Sequence, residues 1–342
     1  MSVVARMLAP LIMGAMATVG ISTVASAQMN LRMSSQWTEN TIGSQVDKWW
    51  AQEIEKRTGG KVKIKIFFEG ALGKASENLT LIREGAIDLT AMSASYFPAD
   101  LPLHTAPNSI PMAMAEVPQA TQLIQRLLKE VPALDEEAKK NGMKALFFHH
   151  LNPYVLVCKP EIKGIADMKG KKLRTWGADM PRMAQAAGAV PVTLGLPELY
   201  ESLSRGTVDC LPFSVDLMVN YKIFEVAKNV YDITLWLGPT NGNWISRKVW
   251  DKIPPEQQKI IEEVSREAAN RDRDLTMEAA AKAVETLKSN GVKFHKFPDA
   301  DKKAWKKSNP DFFADFIAAQ EKAGRGDAAR KMVQIWKEVV GG

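Results

Sequence analysis

Beyond residue 27 the chain contains no apolar run approaching the ~18 residues that a membrane-spanning helix needs, so the body of the protein is expected to be soluble. Histidine is scarce. His104, His149, His150 and His295 are the four present, and adjacent residues on a strand point to opposite faces, so His149 and His150 cannot share one metal without a bulge. There is no H-E-x-x-H, G-x-S-x-G, Walker-type loop or full G-x-G-x-x-G. Gly324-Arg325-Gly326 comes nearest the last, but it follows a helical stretch and reads as a turn. The acidic residues show no recognisable catalytic pairing, so an enzyme is not expected, and neither is a metal or cofactor.

Cysteine is rarer still. Cys158 and Cys210 form no C-x-x-C pattern, which argues against redox catalysis. In an oxidising compartment they could pair, but that depends on a Cα separation the sequence leaves open. The net charge of +6 is spread thinly. Lys169–Lys172 and Lys302–Lys307 are the densest basic runs, and only the second holds an aromatic, Trp305. Nucleic-acid grooves interleave the two more heavily, so both runs read as solvated faces and no nucleic-acid partner is expected.

What is present begins with an export signal. Arg6 precedes the apolar stretch Met7–Val24, glycines at 14 and 20 interrupt it, and Ala25-Ser26-Ala27 offers a cleavage site. This describes a secretory signal over 1–27, cut near Ala27-Gln28, and a periplasmic location. A membrane anchor is the weaker alternative, because the run is broken and ends in a cleavage site.

The remaining length suits two lobes. Leu31–Ser34 reads as a strand. Val46, Trp49, Trp50 and Ile54 mark one apolar helical face, which Gly59-Gly60 ends. Val62, Ile64, Ile66 and Phe68 alternate with lysines as a half-buried strand. A short helix over Glu77–Glu84 and a strand over Ile87–Ala91 follow. The same rhythm returns with strands Val155–Cys158, Lys172–Thr175, Val190–Leu194, Thr207–Leu211 and Val230–Leu235, separated by helices Pro181–Ala187, Pro197 to Gly206 and Val215–Ala227. Such alternation implies βαβ units and mainly parallel sheets. From Pro254 to Asn290 no internal Gly or Pro interrupts a stripe of Ile261, Val264, Ala268, Leu275 and Leu287, so one long helix is expected, then a strand over Val292–Phe297 and amphipathic helices.

Several pieces occur in a specific order: Thr58-Gly59-Gly60-Lys61-Val62, Gly70-Ala71-Leu72-Gly73, Glu84-Gly85-Ala86-Ile87-Asp88-Leu89, Gly170-Lys171-Lys172-Leu173-Arg174, Gly206-Thr207-Val208-Asp209 and Trp250-Asp251-Lys252-Ile253-Pro254. This ordered set resembles the TRAP-type (tripartite ATP-independent periplasmic) solute-binding proteins of the dicarboxylate-binding-protein (DctP) family, over nearly the whole chain after the signal. The resemblance implies an α/β, periplasmic-binding-protein-like fold, two lobes around a cleft with a long helix spanning them. It places lobe I at 28–151 and 240–279, and lobe II at 152–239 and 280–342. It also implies a monomeric receptor that delivers a small carboxylate to a TRAP permease.

In that family the strand arginine clamps a substrate carboxylate, a role that would fall to Arg174. A planar guanidinium fork donates two parallel hydrogen bonds and stays charged. Read without the resemblance, Arg174 is a surface arginine beside two lysines. Other positions where the family lines its cleft are Gln36-Trp37-Thr38, Lys74–Glu77 and Ser93-Ala94 in the first lobe, Tyr154, Trp176, Phe213 and Ser214 in the second, and Asn241 and Trp244 on the returning segment. Phe213 replaces the family's assisting asparagine, and Tyr154 stands where sialic-acid-binding relatives carry a second arginine. One clamp with much aromatic surface favours a monocarboxylate with an apolar or aromatic body, with or without a hydroxyl or keto group. A periplasmic lyase or dehydratase on the same scaffold, and a ligand sensor for a receptor kinase, are the competing readings.

Overall fold

The computed structural model describes residues 28–341; the expected export signal lies outside the described residues. Four strands open the first sheet: β1 (Met29–Ser35), β2 (Val62–Phe67), β3 (Leu89–Met92) and β4 (Met143–His150). The chain then crosses through Leu151–Pro153 into the second sheet, formed by β5 (Tyr154–Cys158), β6 (Lys172–Thr175), β7 (Val190–Thr193), β8 (Cys210–Phe213) and β9 (Asn229–Trp236). It returns through Leu237 and Gly238 to β10 (Pro239–Ser246) of the first sheet, and β11 (Lys293–His295) later edges the second. The strand orders are β2-β1-β3-β10-β4 and β11-β9-β5-β8-β6-β7.

The expectation of mainly parallel sheets needs a correction. One strand in each is reversed: β10 runs antiparallel to β3 and β4, and β5 to β8 and β9. The short crossovers cause this. A strand that enters one sheet directly from the end of a strand in the other must begin at the facing edge, since so short a linker cannot carry the chain to the far side. The carboxyl ends of β1, β3 and β4 therefore face those of β6, β8 and β9 across a gap, the edge at which open α/β sheets collect ligands.

Local sequence explains most elements. The helix Ile42–Arg57 buries Val46, Trp50 and Ile54, and Thr41 caps it by accepting from the Ser44 amide at 3.2 Å. The expected helix over 215–227 is shorter, Val215–Asn220, because Lys222 adopts a left-handed φ of 54° before a single turn at Ile223–Glu225. The helix Val117–Glu130 packs on the C-terminal helix Gly326–Val340, and Pro132–Lys140 packs against Val117–Glu130. There Arg126 pairs with Glu338 at 2.8 Å, and the Trp336 indole donates to the Ala113 carbonyl at 3.2 Å.

The long helix forms as Pro255–Ser289. Its Ile261, Val264 and Ala268 pack into the core of the first sheet, while Leu287 enters the core of the second. Between these ends it meets the crossover: Asn152 donates to the Thr276 carbonyl at 2.8 Å. Asp272 accepts from His149 Nδ1 at 2.7 Å and from the His150 amide at 2.8 Å. His149 Nε2 lies 3.0 Å from Asp47, which also accepts from Asn243 at 2.6 Å. A fully buried polar knot thus joins the first helix, β4, β10 and the long helix. His149 and His150, expected on opposite faces, both reach Asp272 through its two oxygens: Oδ1 meets His149 Nδ1, and Oδ2 meets the His150 amide and ring.

Cys158 and Cys210 are paired across β5 and β8 and form a disulfide with a Cα separation of 4.1 Å. Closing a loop with a sequence separation of 52 contributes about 4 kcal/mol on the chain-entropy estimate. Cys158→Ser/Cys210→Ser is expected to lower the urea midpoint by a corresponding amount. An unchanged midpoint, or indifference of the wild type to a reductant that opens the bridge, would show that the bridge adds nothing.

Candidate ligand-binding cleft

Arg174 sits on β6 between β7 and β8, where Leu173 pairs with Cys210 and Arg174 itself with Val192. Its neighbours make it a buried arginine, 5% exposed, and not a surface one. Nε donates to the Leu194 carbonyl at 3.3 Å, and the guanidinium lies 4.2 Å from the centre of the Trp176 ring. Nη1 is buried with no hydrogen-bond partner among the described residues. Burial pulls its pKa down to about 10, against the opposing influence of the Tyr154 phenol. A cation taken out of water without a counter-ion is costly, and an anion in the gap removes that cost.

Around Arg174 the second sheet supplies an aromatic cluster. Tyr154, at the start of β5, packs edge-on against Trp176 at 5.8 Å, Trp236 at 4.9 Å and Phe213 at 5.6 Å. Burial pushes the Tyr154 phenol well above its ordinary range, only partly offset by Arg174. Trp176 is half-buried, whereas Phe213 is fully enclosed behind Tyr154 and touches Tyr221 at 5.8 Å. Ser214 precedes the helix Val215–Asn220 without capping it, and its buried hydroxyl has no partner among the described residues.

From the first sheet, Ser93 follows β3, and its hydroxyl accepts from Asn108 Nδ2 at 3.0 Å. Asn108 Oδ1 and Asn241 Nδ2 are both buried without partners among the described residues. The Asn108 loop is fixed from the other lobe, because the Trp236 indole donates to its carbonyl at 3.0 Å. Gly238 permits this approach: a Cβ there would lie 2.5 Å from the Pro107 carbonyl oxygen. Trp37 is half-buried and meets His149 edge-on with ring centres 5.0 Å apart, and its position depends on Gly43, where a Cβ would come within 1.8 Å of the ring. Thr38 is exposed, and its carbonyl accepts from the Ser44 hydroxyl at 2.8 Å.

The structure thus brings Arg174, Tyr154, Trp176, Phe213 and Ser214 together at one sheet edge, and sets Ser93 and Asn241 on the edge of the other. Trp244 is placed elsewhere. It is fully buried beside Phe148 at 5.4 Å and His104 at 4.9 Å, and its indole donates to the Met92 carbonyl at 3.2 Å. It offers no surface to the gap, because it lies on the face of β10 that packs on Leu79 and Ile82. Trp236, Asn108 and Asp216 were not singled out from sequence. Trp236 ends a strand, the same signal that marks Trp176, whereas Asn108 lies in a loop with no local signature.

The sequence profile of the bacterial extracellular solute-binding proteins, family 7 (DctP), matches residues 33–320. A solute-binding protein of Verminephrobacter eiseniae is 26% identical over 280 residues, 78% of this chain and 79% of that protein. The 2,3-diketo-L-gulonate-binding periplasmic protein of Escherichia coli is 25% identical over 293 residues, 83% and 85% of the two chains. Among solved structures, a Desulfovibrio salexigens TRAP solute-binding protein with bound orotic acid has a TM-score of 0.77 at 23% identity, covering 92% of this chain and 100% of the other. A Bordetella pertussis extracytoplasmic solute receptor binding pyroglutamic acid has a TM-score of 0.75 at 21% identity, covering 90% and 99%. The profile match spans nearly all the described residues, and the chain belongs to bacterial extracellular solute-binding protein family 7, the solute receptors of TRAP-type transport.

Proposed function

We propose that the protein captures a small organic acid in the gap between its two sheets and delivers it to a TRAP-type membrane permease. The observation that carries this reading is the buried Arg174 guanidinium with Nη1 unpaired. An acid binding there supplies the missing negative charge, and the lobes close over it about the crossovers at Leu151–Pro153 and Leu237–Gly238. Ligand shifts the population toward the closed form, which is the form the permease accepts. Delivery requires no bond to be made or broken.

The aromatic cluster around Tyr154 supports a compact monocarboxylate over a long dicarboxylate, since no second buried arginine or lysine stands opposite Arg174 among the described residues. The orotic and pyroglutamic acids held by the two structural neighbours are compact ring acids of this kind. A thermal-shift screen of organic acids tests the reading. At about a hundred times its Kd, a ligand that binds only the folded state adds about 2.7 kcal/mol of stability. The hit is expected to be a carboxylic acid recovered unchanged by mass spectrometry. Shifts produced by neutral sugars and by no carboxylic acid would refute the clamp, and a chemically altered ligand would point to an enzyme.

A further inference from the structure

A second buried acidic side chain, which the carboxylate clamp does not use, stands just past the end of β8, at the same sheet edge as Arg174. Asp216 lies in the first turn of the helix Val215–Asn220 and is only 9% exposed. Its Oδ1 is buried with no partner among the described residues, and so is the hydroxyl of Ser214 two residues before it. Nη1 of Arg174 also lacks a partner among the described residues, and no ion pair joins the two side chains there. Tyr154, packed on Phe213 and Trp176, stands within electrostatic reach of both. A buried carboxylate oxygen left unpaired is costly, and a carboxylate only accepts hydrogen bonds. What completes it must therefore donate.

The geometry points to Asp216 as a specificity residue that accepts a hydrogen bond from an N–H or O–H of the bound acid, with Ser214 beside it. The ligand class is then a carboxylic acid carrying a donor on the side away from its carboxylate: a hydroxy acid, a sugar acid or a ring acid with an N–H. Plain alkyl and aryl acids leave Asp216 unpaired. A ketone in place of the donor, or a second carboxylate, sets lone pairs or negative charge against Asp216 and is rejected more strongly. The inference rests on the reading that an acid binds at Arg174, and it narrows the class of that acid.

Matched pairs differing in one donor test it by calorimetry. Suitable pairs are pyroglutamate with its ring-oxygen lactone, mandelate with O-methylmandelate, and galacturonate with its O-methylated form; proline, in which the N–H is cationic, is the companion to pyroglutamate. In at least one pair the donor-bearing acid is expected to bind about tenfold or more tightly than its twin, the range of a hydrogen bond to a charged group. Asp216→Ala should erase most of that ratio, with the donor-less twin binding no more weakly than it does to the wild type, because the unpaired carboxylate is gone. Asp216→Asn keeps the side chain's size and one acceptor oxygen, so it guards against misfolding and should fall between. Proline binding above pyroglutamate would assign a cationic donor, and the reverse order a neutral one. Equal affinity for both twins of every pair, or a ratio unchanged in Asp216→Ala, overturns the role of Asp216 alone. If no acid binds the wild type, the role falls together with the carboxylate reading.

Discussion

His149→Leu is expected to destabilise the folded protein by about 3–5 kcal/mol, the effect of breaking a buried ion pair by removing one partner. Nδ1 of His149 lies 2.7 Å from Asp272 and Nε2 lies 3.0 Å from Asp47, so both ring nitrogens meet carboxylate oxygens and both carry protons. Burial opposes that positive charge, but Asp47 and Asp272 outweigh it and raise the imidazole pKa to about 10. Burial likewise opposes ionisation of Asp272, and His149 outweighs it, bringing the carboxyl down to about 2. Leucine fills the space but leaves two carboxylates facing each other without the cation. Urea unfolding of the variant measures the loss, and a change below about 1 kcal/mol would show that the knot is held by its remaining hydrogen bonds.

The sign of the pH dependence follows from the two shifts. The His149 contribution is complete below the ordinary histidine value of 6.5 and is lost as pH rises through about 10. The Asp272 contribution is complete above 3.8 and is lost as pH falls through about 2. The difference in stability between wild type and His149→Leu is therefore expected to be greatest between those ordinary values and to shrink in both directions. A difference that grows steadily toward pH 10 would contradict the doubly bonded imidazolium.

Legibility in the sequence followed the range of the interactions. The long helix was readable because nothing between Pro255 and Ser289 breaks it and its apolar stripe is continuous. The helix Val117–Glu130 carried a comparable signal, with Val117, Ala120, Ile124 and Leu127 on one buried face and a proline in its first turn. It could have been found by the same rule. Strand direction could not: alternation of strands and helices is blind to the reversal of β5 and β10, which is a consequence of the chain passing between lobes. The burial of Trp244 was equally hidden, since alternation along a strand does not say which face meets the core. Asp47, His149 and Asp272 come from three distant segments, and no local pattern marks them as partners. Arg174 was legible as a candidate only through the ordered landmarks around it; its local setting beside lysines suggests a surface residue, whereas its place between β7 and β8 leaves it buried.

Arg174→Ala is expected to weaken acid binding by about 2–5 kcal/mol, roughly 30-fold to 4,000-fold, because it removes the charge partner of a desolvated carboxylate. Arg174→Lys keeps a positive charge but loses the planar fork, the stacking on Trp176 and the Nε hydrogen bond to Leu194. It too should bind much more weakly than the wild type. Stability distinguishes this from a structural defect. In the ligand-free protein the guanidinium is buried with Nη1 unpaired, so an uncharged replacement of similar length, Arg174→Met, should leave the unliganded fold as stable or more stable. A residue needed for folding would behave in the opposite way, losing stability and binding together. Calorimetry with an acid identified by thermal shift, alongside melting curves of the unliganded variants, gives both readouts. Affinity close to wild type in Arg174→Ala would return this side chain to an ordinary packing role and move the carboxylate clamp elsewhere in the gap.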